Sequence, residues 1–168
     1  INSSTVINPD MPLLANLVRL TFHDCVGKGG CNGCVNLRIN ENRGLELSIN
    51  TLKALYSQSE NWPGLTTEDI SFADLFAFAG LSAAKQAAKH RRGRFVYVPK
   101  NLNGFPANFQ WGRQDCPTAP DAPEESNLDF PFSESNQKTT AQFFKEKFGF
   151  TAEETVTILG AHSLGQAA

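Results

Sequence analysis

Nowhere does the sequence contain an apolar run approaching the roughly 18 residues that cross a bilayer, so no membrane span is expected. It opens on Ile1, with neither an initiator Met nor a signal-peptide pattern, which reads as a processed, soluble chain. Charge of either sign is not in excess. A formal net charge of −2 and a pI near 5.9 give no reason to expect a nucleic-acid or membrane-surface partner and leave small-molecule chemistry as the default. Internal repeats and low-complexity segments are also missing, so nothing points to a repeat array or a disordered tail. What is present suits one globular domain: 168 residues, 40% of them apolar, are enough for a real core.

The four cysteines, Cys25, Cys31, Cys34 and Cys116, are an even number with three of them close together. Cys31 and Cys34 also form a C-x-x-C pair of the redox or zinc type. Zinc needs two further ligands at suitable spacing, which Cys25 and a distant Cys116 supply poorly, so disulfides are the favoured reading. Disulfides imply an oxidising compartment, and the sequon Asn2-Ser3-Ser4 agrees with a secreted glycoprotein.

Most of the chain reads as helix. Pro9 to Asp24 carries Leu13, Leu14, Leu17, Val18 and Leu20 at helical spacing, and Leu45 to Tyr56 repeats the pattern with Leu45, Ile49, Leu52 and Leu55. A loop rich in Gly, Cys and Asn runs between them from Val26 to about Asn36. Thr66 or Thr67, followed by Glu68-Asp69, predicts the cap of a long helix reaching about Lys89. The basic run Lys85, Lys89, His90, Arg91, Arg92 and Arg94 invites a polyanion-binding reading, yet cations at a helix C-terminus are favoured by its dipole. The stretch from about Gly93 to Asn136 holds most of the prolines and one short β-like run, Phe95 to Val98, and is expected to be largely irregular. Helix returns at about Ser135 to Phe148 and again after Thr151.

The C-terminal Ala161-His162-Ser163-Leu164-Gly165 resembles the nucleophile elbow of a hydrolase, with Ala for the first Gly. An elbow needs a strand before its serine, and Thr151-Ala152-Glu153-Glu154 is instead a capping box that starts a helix. On that helix Thr155, Ile158, Leu159 and His162 share a face. A hydrolase triad would also need its acid and histidine after Ser163, where only a few residues follow. A lone histidine on an apolar helix face is more often a core residue than a ligand, so His162 gains meaning only from a second site. That site is Arg19 and His23, at i and i+4 on one helix face with Phe22 beside them. An Arg and a His aimed into one cavity can shuttle a proton and stabilise developing negative charge.

Five motifs in order resemble the plant-type haem peroxidase superfamily. Arg19-Leu20-Thr21-Phe22-His23-Asp24-Cys25 is similar to its distal-helix motif, and Gly160-Ala161-His162-Ser163-Leu164-Gly165 to its proximal-histidine motif. Between them, Asn42-Arg43-Gly44-Leu45, then Trp62-Pro63-Gly64 with Ile70-Ser71-Phe72-Ala73-Asp74-Leu75, then Gly112-Arg113-Gln114-Asp115 resemble segments of the same family. The resemblance implies an all-α helical fold, haem b as cofactor, hydrogen peroxide as oxidant and a small aromatic or phenolic reductant. It implies that His162 ligates the haem iron, that His23 and Arg19 act on peroxide, that Asn42 accepts the other ring N–H of His23, and that Phe22 lines the haem. Phe22, where intracellular members commonly carry Trp, points to a secreted enzyme, and a Cys25–Cys31 disulfide also fits the family. Cys34 and Cys116 are then the second candidate pair, for which the family offers no parallel.

The resemblance also implies calcium, with Asp24 as a distal ligand and Ser163 as the first ligand of a proximal site. Asn32 and Cys34 stand where a carboxylate and a hydroxyl are expected, which weakens the distal set, and the remaining proximal ligands fall outside the sequence. Asn127-Leu128-Asp129-Phe130-Pro131 departs from the substrate-edge pattern of the plant secreted enzymes, so substrate preference does not carry over. The sequence covers residues 1–168 as a partial domain, the distal half ending just after the proximal-histidine helix. The buried Asp that would support the proximal histidine is absent, and a large apolar surface would be left open. A second polypeptide carrying the missing half, or a truncated chain, are the favoured accounts. The alternative is a haem-free secreted binding or structural protein on the same scaffold.

Overall fold

The computed structural model of the chain describes residues 11–26, 30–61, 63, 68–90, 109–116 and 136–160. Five helices follow one another: α1 (Met11–Cys25), α2 (Glu46–Tyr56), α3 (Phe72–His90), α4 (Gln137–Phe148) and α5 (Ala152–Leu159). Single 3-10 turns at Asn40–Asn42 and Ser59–Asn61 precede and follow α2. The fold is all-α, as the periodicity predicts, and no strand occurs among the described residues. The β-like run Phe95 to Val98, the sequon at Asn2, the substrate-edge segment Asn127 to Pro131 and the basic run beyond His90 all lie outside them.

The core forms where three helices present their apolar stripes. Leu20 of α1, Ile49 and Leu52 of α2, and Leu75 and Phe76 of α3 meet Val35 and Leu45 from the segments before and at the start of α2. Full burial of a side chain such as Leu20 or Phe76 contributes about 1.5–3 kcal/mol. Helix α1 crosses α3 where Gly80 leaves room for Thr21. The Thr21 hydroxyl lies 3.0 Å from the Leu17 carbonyl and 2.9 Å from the Phe76 carbonyl of the other helix, so its single proton is shared across the crossing. A Cβ at Gly80 would collide with that hydroxyl. Tyr56 closes the edge of the core, donating its hydroxyl to the Ile70 carbonyl at 2.9 Å and packing its ring on Phe72.

Helix α3 starts later than the sequence predicts. Glu68 and Asp69 form a turn, and the cap is Ser71, whose hydroxyl accepts the Asp74 N–H at 2.9 Å. The reason is tertiary: the Asp115 carboxylate, from a segment distant in sequence, accepts the Ala73 N–H at 2.8 Å and satisfies a further donor of the first turn. Thr66 and Thr67 lie outside the described residues. Asp74 holds the same distant segment from the other direction, accepting the N–H of Gly112 at 2.8 Å and Nη1 of Arg113 at 2.9 Å. Burial disfavours its charge, but those bonds outweigh it and hold the carboxyl below its usual value.

Helix α4 opens with Asn136, whose side chain accepts the Thr139 N–H, and closes on Gly149 in the left-handed region at φ 72°. The Gly149 N–H returns to the Lys145 carbonyl at 3.0 Å, a left-handed cap that only a residue tolerant of positive φ allows cheaply. Helix α5 begins with the predicted capping box, Thr151 and Glu154 bonding each other's backbone N–H. Phe144, Phe148 and Phe150 stack where the two helices meet.

Both disulfides are formed. Cys25–Cys31 ties the end of α1 to the loop that follows, and Cys34–Cys116 ties that loop to the segment 109–116 across 82 residues of sequence. The C-x-x-C pair is therefore split between two bridges, and no cysteine among the described residues is left for zinc.

Candidate active site

The last turns of α1 carry Arg19, Phe22 and His23, all half-buried. Opposite them runs the turn that leads into α2, Asn40–Asn42 followed by Arg43. This one turn supplies an oxygen to each of the two side chains, Arg19 and His23. Nδ1 of His23 lies 2.7 Å from Oδ1 of Asn42, and Nη1 of Arg19 donates to the Arg43 carbonyl at 2.9 Å. Gly44, at φ 87°, lets the chain leave the turn for α2 immediately afterwards.

The orientation of Asn42 settles which histidine nitrogen carries the proton. Its Nδ2 donates to the Asn36 carbonyl at 2.8 Å in a buried bond, so its Oδ1 is the atom facing the ring. An amide oxygen only accepts, hence Nδ1 bears hydrogen and Nε2 is the basic nitrogen. Asn42 is 1% exposed, so an unmatched amide there would cost the full desolvation of its polar atoms. Phe22 meets the His23 ring at 6.1 Å in an edge arrangement and reaches Phe144 of α4 at 6.5 Å. Helix α4 thus steadies the histidine's neighbour.

Asp24 points away from this group into the loop. Its Oδ1 accepts the Gly33 N–H at 2.8 Å, and its own carbonyl accepts the Cys31 N–H at 3.1 Å. Oδ2 is fully buried without a hydrogen-bond partner among the described residues. Burial therefore dominates and pushes the carboxyl up to about 6, although the nearby N–H groups of Gly33, Asn32 and Cys34 favour its charged form. The side chains around it do not suit a calcium ion. Oδ1 of Asn32 is committed to the Cys34 N–H at 3.0 Å, the Cys34 sulfur is spent in a disulfide, and no cluster of three acidic, His or Cys side chains able to hold a metal occurs among the described residues. Ser163 and His162, expected as calcium and iron ligands, lie outside those residues.

The structure thus brings Arg19, His23 and Asn42 together, with Phe22 alongside, and sets Asp24 apart. Three participants escape a reading of the sequence. Asn36 and Arg43 act through backbone carbonyls, which leave no trace in residue type, and Phe144 lies on a distant helix. Only the turn chemistry of Asn36, whose Oδ1 accepts the Arg38 N–H at 2.9 Å, could have hinted at an ordered loop.

The family model for peroxidase matches residues 3–168. The chain belongs to the plant-type peroxidase superfamily. Peroxidase 10 of Arabidopsis thaliana is 30% identical over 166 residues, covering 93% of this chain and 41% of that protein. Peroxidase 2 of indica rice is 27% identical over 98% of the chain and 47% of its own length. A Debaryomyces hansenii protein, provisionally named a heme-binding peroxidase, is 26% identical over 89% of the chain and 32% of its own length. No solved structure matches the chain. The chain spans less than half the length of these relatives. Each relative is a single longer chain, which lends no support to a separate second polypeptide. No described helix is long and apolar enough to cross a membrane.

Proposed function

We propose that this chain forms the peroxide-cleaving half of a haem peroxidase, a partial domain completed by the remainder of the family fold. The observation that carries this reading is the chain of fixed contacts from the Asn36 carbonyl through Asn42 to His23, with Arg19 one turn earlier on the same helix. The donor set fits the distal side of a haem: an imidazole whose Nδ1 is bound to Asn42 and whose basic nitrogen is Nε2, a permanent cation and an aromatic ring, all on one helix. His162 would be the residue that holds the iron. When bound, haem supplies the redox equivalents that cleave the O–O bond and that one-electron donors, small aromatics or phenols, later restore.

The protein's own part is proton management. Nε2 of His23 takes the proton from one oxygen of hydrogen peroxide and delivers it to the other, which leaves as water. Arg19 stabilises the negative charge on the departing oxygen, and its bond to the Arg43 carbonyl keeps the guanidinium in place when substrate is absent. Asn42 keeps Nδ1 protonated, so the histidine begins each cycle as a base rather than a donor. The two disulfides support an extracellular setting for this chemistry.

The test is the visible spectrum of the protein with haem and its response to hydrogen peroxide. His23→Leu is expected to retain the haem band while slowing the peroxide reaction by at least about 100-fold, the usual scale of a general acid–base contribution. His162→Ala is expected to lose the haem band. Equal peroxide rates for wild type and His23→Leu would sink the mechanism. A protein that stays colourless when haem is supplied would favour the haem-free binding role instead.

A further inference from the structure

The geometry points to the Cys34–Cys116 disulfide as a positioning element for His23, acting by pinning the loop whose Asn36 carbonyl orients Asn42. The segment Cys31–Asn36 belongs to no helix or strand, so its place is set by tertiary ties. Its first residues are tied to the end of α1 by the Cys25–Cys31 bridge and by the Gly33 N–H bond to Asp24, and the ties nearest Asn36 gather at Cys34–Cys116. The Cys116 N–H donates to the Asn32 carbonyl at 2.9 Å beside the sulfur bridge. Cys116 is itself held by its neighbours, since Asp115 caps the Ala73 N–H and Gly112 and Arg113 bond Asp74 at the start of α3. The bridge therefore fastens the loop to the first turn of the longest helix. From Cys34 the chain passes through buried Val35 to Asn36, whose carbonyl receives Nδ2 of Asn42.

The consequence follows from the symmetry of an amide. Asn42 can rotate by half a turn with little change in shape, exchanging its oxygen and its NH2 at the His23 ring. Only the Asn36 carbonyl, which cannot accept from an oxygen, distinguishes the two orientations among the described contacts of this side chain. If that carbonyl drifts, the amide can present NH2 to Nδ1, and the imidazole proton then moves to Nε2. The histidine would then carry a proton on the nitrogen that must accept one.

The inference rests on the proposed role of His23, but its test needs neither haem nor peroxide, so each can fail without the other. Nitrogen-15 NMR of the imidazole reads the tautomer directly. In wild type the Nδ1–H form is expected to dominate, and in the Cys34→Ser/Cys116→Ser variant the ratio of the two forms is expected to fall by about tenfold, the scale of one ordinary hydrogen-bond preference. A variant with a wild-type helical circular dichroism spectrum and an unchanged tautomer ratio would overturn the proposal. Should the variant fail to fold, the wild-type protein still decides: the Asn42 side-chain amide protons must exchange slowly and show coupling to the Asn36 carbonyl, and a freely exchanging amide there would equally overturn it.

Discussion

Asp24 places a carboxyl beside the catalytic candidate His23 yet serves a different purpose, and its titration separates the two. Its folded value is raised from 3.8 to about 6 by burial. A group shifted in that direction contributes stability fully present below about pH 4, where it is protonated in both states, and lost as pH rises through about 6. The loss amounts to about 3 kcal/mol at full ionisation. Asp24→Asn keeps an oxygen for the Gly33 N–H and removes the charge. Urea midpoints are therefore expected to fall for wild type between pH 4 and 7 and to stay nearly level for the variant across that window. Parallel profiles for the two proteins would show that the carboxyl is not the group responsible. At this scale the sequence was readable where a side chain carries the chemistry: Arg19 and His23 could be singled out by type and spacing, and Asn42 through the family resemblance. Asn36 could not, because the atom that matters is a carbonyl every residue possesses.

The crossing of α1 and α3 sets where the candidate site sits, since Thr21, which bridges to α3, lies between Arg19 and His23. Gly80→Ala would ordinarily gain about 1 kcal/mol of helix propensity. Here the added methyl meets a Thr21 hydroxyl held by two carbonyls, and overpacking of about 1–3 kcal/mol or more is expected to win. Adding Thr21→Ala should recover part of that loss. A thermal melt in which the double variant is no more stable than Gly80→Ala would place the strain elsewhere. The helices themselves were largely legible. Apolar spacing located α1 and α2, and the Thr151-x-x-Glu154 box located α5 to the residue. The start of α3 was not legible, because Asp115 and Ser71 override the local signal at Thr66 and Thr67, and no window along the chain shows that Asp115 lies against Ala73.

Across the whole molecule, two covalent ties hold the loop that follows α1. By chain-entropy arguments Cys34–Cys116, spanning 82 residues, is worth about 4–5 kcal/mol, and the short Cys25–Cys31 loop about 2 kcal/mol. A chelator is expected to leave the melting temperature unchanged, whereas a reductant should lower it by about 10–25 °C. A fall with the chelator alone would mean that oxygen donors beyond the described residues complete a calcium site. By itself the sequence determined the family, through its ordered motifs, the largely helical class, and the side chains of Arg19, Phe22, His23 and Asn42 at the candidate site, because periodicity, caps and motif chemistry are local properties written in residue order. Tertiary structure alone decided where α3 begins, how far Asp24 is buried and which way the Asn42 amide faces. Each of these depends on a group brought from a distant part of the chain, and a backbone carbonyl, a void beside a glycine or a buried unpaired oxygen exists only once those parts have met.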